Sequence, residues 1–188
     1  MNEEKEVKIL FAGDFSPCRG FESIVLEKKT DILGGALPII NNSDVSFVNL
    51  ECPLTTSKKK INKSGPALKA HPKCAEALRP FSVVGLANNH ILDYGESGLS
   101  DTLEACNSAG LTTVGAGKNL ALAQEYFIKK VKGLIVAVIA ISEHEFNQSE
   151  GDGAGAAPID LIDNFKQINN ARSAADIVIV TIHGGNEH

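Results

Sequence analysis

The chain has 188 residues, of which 43% are hydrophobic and 22% charged, and 18 Lys and Arg against 23 Asp and Glu give a net charge of −5. These values exclude a disordered or low-complexity chain, and the length predicts one domain over residues 1–188. Aromatic residues make up only 5% and Trp is absent, so we expect no nucleic-acid-binding surface built on base stacking.

Apolar runs alternate with helical patterns along the first part of the chain. In chain order we predict a strand at 7–12, a helix at 21–29, a strand at 45–50, a long basic loop at 55–63, a short helix at 72–78, a strand at 82–87, a helix at 96–109, a brief strand at 111–114 and a short helix at 119–124. This alternation predicts an α/β fold with a mainly parallel or mixed sheet covered on both faces.

The second part continues the same alternation. It comprises a predicted hairpin of 126–131 and 134–141, an acidic glycine-rich loop at 143–157, a helix that begins at Pro158 with apolar residues at Ile159, Ile162, Phe165 and Ile168, and a strand at 176–182. The hairpin turns across Lys132-Gly133.

Targeting signals and cysteine usage indicate the compartment. No basic stretch followed by an apolar run marks a signal peptide, and the longest apolar run, 134–141, is far too short to span a bilayer. We therefore expect a soluble, cytoplasmic chain, with membrane association through parts of the protein outside it left open. Cys18, Cys52, Cys74 and Cys106 show no CxxC spacing and are expected to be free thiols.

Four predicted strands end in polar groups that can bind a metal or move a proton: Asp14, Glu51, Asn89-His90 and His183. In open α/β sheets ligands bind at the carboxyl ends of the strands, so parallel strands would bring these groups to one edge. Two carboxylates, an amide oxygen and an imidazole suit Mn, Fe or Zn. Carboxylates can also hold two such ions, which together clamp a phosphoryl group for attack by an activated water.

Each of these residues also has a purely structural explanation. Asp14 could be a turn or helix-capping residue, and Glu51 a solvated loop charge. Asn88-Asn89 tolerates left-handed turn geometry, and a lone histidine such as His90 is commonly packed and hydrogen-bonded. His183 is more suggestive, because Gly184-Gly185 follows it and would allow close approach of a ligand. The combination favours a site over four unrelated structural roles.

His90 and Asp93 are three residues apart, close enough across one turn for the carboxylate to hydrogen-bond and orient the imidazole. A histidine held in this way can protonate a leaving oxygen or stabilise a phosphoryl transition state. Alternatively, Asp93 caps the helix that begins near Glu96, and the two roles are compatible.

Five segments in this order carry a family pattern: Gly13-Asp14, Asn49-Leu50-Glu51, Ala87-Asn88-Asn89-His90 with Asp93-Tyr94-Gly95, Gly115-Ala116-Gly117, and His183-Gly184-Gly185-Asn186-Glu187. The pattern resembles the CapA-type proteins of bacterial capsule and poly-gamma-glutamate synthesis, a branch of the calcineurin-like metallophosphoesterases. The resemblance implies a metallophosphoesterase-like sandwich of mixed β-sheets flanked by helices.

The resemblance also implies residue roles. Asp14, Glu51, Asn89 and His183 match metal ligands, with Glu51 in the place usually held by a bridging aspartate. His90 matches the catalytic histidine and Asp93 its partner. Asn88 and Glu187 are expected to contact substrate or support the ligands. The implied cofactor is a divalent metal, Mn, Fe or Zn, as one ion or two.

The chain departs from the superfamily pattern in two places. The usual Asp-x-His motif reads Asp14-Phe15-Ser16, so one ligand is missing or weakened. A Gly-His-x-His-like segment would lie after His183, and the chain stops at His188. We therefore expect the domain to be truncated at its C-terminus.

Three functions are compatible with these features. The first is a CapA-like role in capsule or poly-gamma-glutamate synthesis or processing, with a metallophosphoesterase-type site and the polymer as ligand. The second is a metal-dependent hydrolase of phosphodiesters or nucleotides. The third is a non-catalytic relic that binds an anion or polymer. A polymer groove would need basic residues, and Lys58 to Lys63 is the candidate, although such a stretch is more often a solvated loop.

Overall fold

The fold is described from a computed structural model, over residues 6–185. The strands are β1 (Ile9–Phe15), β2 (Val45–Leu50), β3 (Val83–Gly85), β4 (Thr113–Val114), β5 (Ala116–Gly117), β6 (Phe127–Val131), β7 (Leu134–Ser142), β8 (Gly155–Ala156) and β9 (Ile177–His183). The α-helices are α1 (Glu22–Lys28), α2 (Leu37–Asn41), α3 (Gly95–Ser108), α4 (Leu120–Ala123) and α5 (Leu161–Ala174), and 3₁₀ turns cover Arg19–Phe21, Lys29–Ala36 and Pro72–Leu78.

The strands form two main sheets, which confirms the predicted mixed α/β sandwich. In the first sheet β1, β2, β3 and β4 are neighbours in that order and all parallel. In the second sheet β7 lies between β6, to which it is antiparallel, and β9, to which it is parallel. A short antiparallel pair, β5 and β8, lies beside them. Because β9 belongs to the second sheet, His183 reaches the other polar strand ends from a different sheet, which corrects the prediction of one sheet edge.

Apolar side chains fill the space between the two sheets. Phe47 and Val83 of the first sheet belong to the same buried cluster as Val136, Val138 and Ala140 of the second. Burying each such side chain contributes about 1.5–3 kcal/mol. All six residues of β2 are buried, as expected for a parallel strand that is covered on both faces. This double cover fixes where β2 ends, and therefore where Glu51 lies.

The hairpin of β6 and β7 is present where the sequence predicts it. Lys132 has a φ of 49° and Gly133 a φ of 94°. Two consecutive residues in the left-handed region are what a two-residue hairpin turn requires, because its twist then matches that of the strands. The turn sets the register that pairs Val131 with Leu134.

The last helix differs from its prediction. It begins at Leu161, after Asp160, whose carboxylate accepts hydrogen bonds from the next turn. Most of the predicted apolar face is turned outward, since Ile159, Ile162 and Phe165 are exposed, whereas Ile168 packs against a buried cluster. The buried residues include Gln167, which donates to the backbone oxygen of Gln124 at 2.6 Å, and the small Ala171. Spacing alone identifies an apolar face, but not which face meets the sheet.

Two further expectations concern the surface and the thiols. Within residues 6–185, the structure contains no helix of the length and apolarity needed to cross a membrane. Cys18, Cys52, Cys74 and Cys106 are all free, as predicted, and all four are buried.

Candidate metal and catalytic site

Three of the predicted metal ligands lie together at the carboxyl ends of strands. Asp14 lies near the end of β1, Glu51 directly after β2, and His183 at the end of β9. One ligand atom of each lies within 4.8 Å of the others. His183 Nδ1 is 3.5 Å from Asp14 Oδ1, and its Nε2 is 3.7 Å from Glu51 Oε1. The predicted convergence of polar strand ends is therefore present in the fold.

Asn49 fixes the orientation of these groups. Its Nδ2 donates to Asp14 Oδ1 at 2.7 Å and lies 3.1 Å from His183 Nδ1. An amide nitrogen can only donate, so this contact is a hydrogen bond in the tautomer whose Nδ1 accepts and whose proton is on Nε2. That nitrogen lies 3.2 Å from Asn89 Oδ1, which can accept the proton's hydrogen bond. Asn89, the fourth predicted ligand, is thereby joined to the other three.

Sequence analysis gave Asn49 no role of its own. The signal was present, since Asn49 is a polar residue near the end of a strand whose neighbours are apolar and buried. What the sequence could not show is that one amide group would reach both β1 and β9.

Glu143 is a second residue that sequence analysis missed. It follows β7 and lines an open cavity of about 340 Å³ together with Asp14, Glu51, Asn89 and His183. Its Oε1 accepts a hydrogen bond from the backbone N–H of Gly185 at 3.2 Å. The signal was again a charged residue directly after an apolar strand, the same pattern that identified Asp14 and Glu51.

Gly184 lies against the carboxyl group of Glu143, which a side chain at this position would displace. A Cβ at residue 184 would lie 2.9 Å from the carboxyl carbon of Glu143, well inside contact distance. The sequence interpretation was that Gly184 allows a ligand to approach. The structure gives the nearer reason that this glycine lets Glu143 reach the cavity rim.

His90 and Asp93 make the contact that their spacing predicts. His90 Nδ1 is 2.7 Å from Asp93 Oδ2, and Asp93 is completely buried. The capping alternative is wrong, because Tyr94 precedes α3 at the cap position and the helix start has no side-chain cap. The Oδ2 of Asp93 instead accepts from the backbone N–H of Leu68 at 2.6 Å. Asp93 therefore serves the imidazole and the long loop, not the helix.

Asn88 lies beneath the site. It is completely buried, and its Nδ2 donates to the backbone oxygen of Leu50 at 2.8 Å while its Oδ1 accepts from the His90 N–H at 3.1 Å. Asn147 donates in turn to the Asn88 backbone oxygen at 2.9 Å. Of the two predicted roles for Asn88, only support of the neighbouring ligands agrees with this burial.

A model of the family described as bacterial capsule synthesis protein PGA_cap matches residues 8–188. The chain belongs to this family.

Relatives of this family member extend the comparison. The chain is 30% identical over 200 residues to the capsule biosynthesis protein CapA of Bacillus anthracis, covering 99% of this chain and 48% of that protein. It is 31% identical over 186 residues to the PGA biosynthesis protein CapA of Bacillus subtilis, covering 95% of this chain and 49% of that protein. The chain therefore spans about half the length of the curated relatives that it matches.

A solved structure shows the same fold in a distant protein. The NAD nucleotidase of Haemophilus influenzae matches with a TM-score of 0.55 at 15% identity, over 96% of this chain and 34% of that one. This likeness confirms the metallophosphoesterase-like fold that the resemblance implied for this member of the PGA_cap family.

One predicted departure from the superfamily pattern has a local explanation in this family member. Ser16, at the position of the usual second ligand, lies 3.3 Å from the backbone oxygen of Glu51 and 3.4 Å from Cys18 Sγ. Its hydroxyl therefore ties β1 to the segment after β2. Glu187, expected at the substrate or behind the ligands, lies outside the described residues.

The buried thiols near the site do not offer an alternative ligand set. Burial raises the pKa of the Cys52 thiol well above its usual range, and raises the pKa of Cys74 to about 11. The thiolate is the form that binds metal. Within residues 6–185, the group of side chains close enough to share one ion consists of Asp14, Glu51 and His183 and contains no cysteine.

Proposed function

We propose that this chain carries a metal-dependent hydrolytic site of the metallophosphoesterase type, within a protein of capsule or poly-gamma-glutamate synthesis. One observation carries the proposal. Asp14, Glu51, Asn89 and His183 surround one cavity, and Asn49 orients two of them. Hydrogen bonds that align two potential ligands in this way are typical of metal sites, where neighbouring side chains fix the orientation of the residues that bind the metal.

The donor set fits a divalent transition metal. Asp14 and Glu51 offer carboxylates, Asn89 an amide oxygen and His183 an imidazole nitrogen, which together suit Mn, Fe or Zn. A bound ion would supply charge compensation for a phosphoryl group and activate the attacking water.

The charge around the cavity favours two ions over one. Asp14, Glu51 and Glu143 place three carboxylates on its lining. One divalent ion would leave this group of charges negative, whereas two would make it positive. An anionic substrate, whether a phosphoester or a glutamate polymer, needs the positive charge that two ions provide. The same count argues against a metal-free, anion-binding relic, because the bare cavity would repel an anion.

His90 is suited to act as a general acid. Its Nδ1 faces Asp93 at 2.7 Å, so Nε2 is the ring nitrogen left to give a proton to a leaving oxygen. The backbone N–H of His90 is held by the Asn88 side chain at 3.1 Å. Both ends of the residue are therefore fixed, which reduces the motion needed to reach a productive geometry.

The test combines metal content with turnover. Protein stripped with EDTA is reconstituted with Mn, Fe or Zn, analysed for bound metal, and assayed on phosphodiesters, nucleotides and poly-gamma-glutamate. We expect stoichiometric metal and metal-dependent hydrolysis, both lost in Asp14→Ala and His183→Ala and unchanged in Asp152→Ala, which alters an exposed loop residue. His90→Ala should keep its metal and lose turnover by about 10²–10⁴-fold.

The outcomes separate the candidate functions. Bound metal with binding of poly-gamma-glutamate but no cleavage of any substrate would favour a non-catalytic polymer-binding role. Protein that takes up none of the three metals would contradict the proposal altogether.

A further inference from the structure

Lys63 occupies an unexpected position in the basic loop. The loop leaves the sheet near Leu54, which forms an isolated bridge with Ala70 where it returns. Residues 58–60 are exposed, as a solvated loop would be, but the Lys63 side chain is only 4% exposed. Burying an ammonium group is costly unless it is paired. The position of Lys63 therefore needs a specific partner.

That partner is the carboxylate that holds the candidate catalytic histidine. Lys63 Nζ forms an ion pair with Asp93 Oδ1, and Oδ2 of the same carboxylate is 2.7 Å from His90 Nδ1. The two carboxylate oxygens are thus divided between Lys63 and His90. Lys63 Nζ also lies 3.3 Å from His90 Nδ1. Both nitrogens therefore contact the buried carboxylate of Asp93.

The main chain of the loop strengthens this arrangement. The N–H of Ile61 donates to the backbone oxygen of Asp93 at 3.0 Å, and the N–H of Leu68 donates to its Oδ2 at 2.6 Å. The loop is therefore attached to Asp93 on both sides of Lys63. Because both oxygens of the Asp93 carboxylate have partners, the carboxylate cannot rotate away from the His90 imidazole without breaking its ion pair with Lys63.

We propose that Lys63 is a positioning residue, which locks the Asp93 carboxylate in the orientation that holds the His90 ring for proton transfer. The proposal rests on the hydrolytic function proposed above for its catalytic consequence, but not for its geometry. It also gives the basic loop a role at the site, in place of the solvated loop that its sequence suggests.

Spectroscopy tests the geometry without metal or substrate. A histidine Nδ1–H that donates to a buried carboxylate gives a far-downfield proton resonance, which His90→Gln would assign by its loss. We expect the resonance to be lost or exchange-broadened in Lys63→Met, retained in Lys63→Arg, and unchanged in Lys60→Met, the matched control on the exposed part of the loop. A folded Lys63→Met protein that keeps the resonance at its wild-type position would overturn the proposal.

Kinetics tests the consequence. In Lys63→Met, kcat should fall about 100-fold, as a small misplacement of a catalytic group does, while KM stays within about twofold, since Lys63 is not at the cavity. Lys63→Arg should recover most of the loss. Lys63→Gln, which keeps a polar group but removes the charge of the ion pair, is measured alongside in case Lys63→Met does not fold, and is expected to be intermediate in both assays. Wild-type kcat in Lys63→Gln, with an unaltered resonance, would equally overturn the proposal.

The two experiments fail separately. If the wild-type protein hydrolyses none of the substrates, the proposed function fails, and the resonance still decides the role of Lys63. If turnover is present but insensitive to Lys63, the positioning role fails and the proposed function stands.

Discussion

Asp14→Asn should make the metal-free protein more stable while removing its response to metal. The carboxylates of Asp14 and Glu51 approach within 4.8 Å. At that separation two unit charges repel by about 1 kcal/mol in water and about 3.5 kcal/mol at an effective dielectric constant of 20. The Asp14 side chain is 48% exposed and that of Glu51 24%, so the lower value applies.

The Asp14→Asn substitution removes the charge of the side chain while keeping its shape. Asparagine keeps an oxygen that can accept the hydrogen bond from Asn49, so only the negative charge is removed. A gain of about 1 kcal/mol corresponds to a melting temperature about 2–4 °C higher for a chain of this size. The wild type, in contrast, should gain about 2.7 kcal/mol when a metal is present at a hundred times its dissociation constant.

Thermal unfolding followed by circular dichroism, in EDTA and in Mn²⁺, measures both effects. We expect the order of stability to invert, with Asp14→Asn above the wild type in EDTA and below it in Mn²⁺. Asp152→Asn, an exposed carboxylate in the loop after β7, should follow the wild type in both conditions. An Asp14→Asn protein that is clearly less stable than the wild type in EDTA would refute the repulsion argument, and one that keeps the full Mn²⁺ shift would refute the assignment of Asp14 as a ligand.

Three further predictions concern the rest of the fold. Gly115→Ala should lower the free energy of unfolding by about 3 kcal/mol in urea titrations, because its φ is +86° and a Cβ would lie 2.8 Å from two alanine methyl groups; a loss below 1 kcal/mol would contradict this packing. Burial raises the pKa of Cys74 to about 11 and of Cys106 to about 12, so iodoacetamide at pH 8 should label them in urea and not in the native protein. The hydrogen bond from Lys132 lowers the pKa of Asp44 below its ordinary 3.8, so this carboxylate stabilises the fold above that pH and loses its contribution as the pH falls through the folded-state pKa. Asp44→Asn should therefore be destabilising at pH 7 and progressively less so as the pH falls below 3.8, and a cost that does not change with pH would count against the ion pair.

The strand ends were predictable because they depend on local periodicity and on one general rule. The apolar runs that form β1, β2, β7 and β9 are short, and a polar residue lies at or near the end of each. Strands packed on both faces read as nearly continuous apolar runs, so charged side chains appear at or near their ends. That is why Asp14, Glu51 and His183 could be placed together before the structure was known, although not which sheet each belongs to.

The supporting residues could not be predicted in the same way, because their roles depend on contacts between distant segments. Asn49 reaches His183 across 134 positions in the sequence. Lys63 reaches Asp93 from a loop whose composition resembles a solvated surface. A lysine that closely follows a run of exposed lysines carries no local sign of burial, since only the closed loop shows which one turns inward.

Asn88 connects the candidate metal ligands to the candidate general acid His90. Asn88 touches both of them: its side chain donates to Asn49 Oδ1 at 3.3 Å on the ligand side and accepts from the His90 N–H on the catalytic side. Asn49 aligns Asp14 with His183, and Asp93 aligns His90. Through Asn88, a displacement of the candidate metal ligands would be transmitted to the backbone of the candidate general acid. In this arrangement the ligand set and the proton donor form one hydrogen-bonded unit, so substitutions on the two sides should be non-additive in turnover, as expected for residues that share a network.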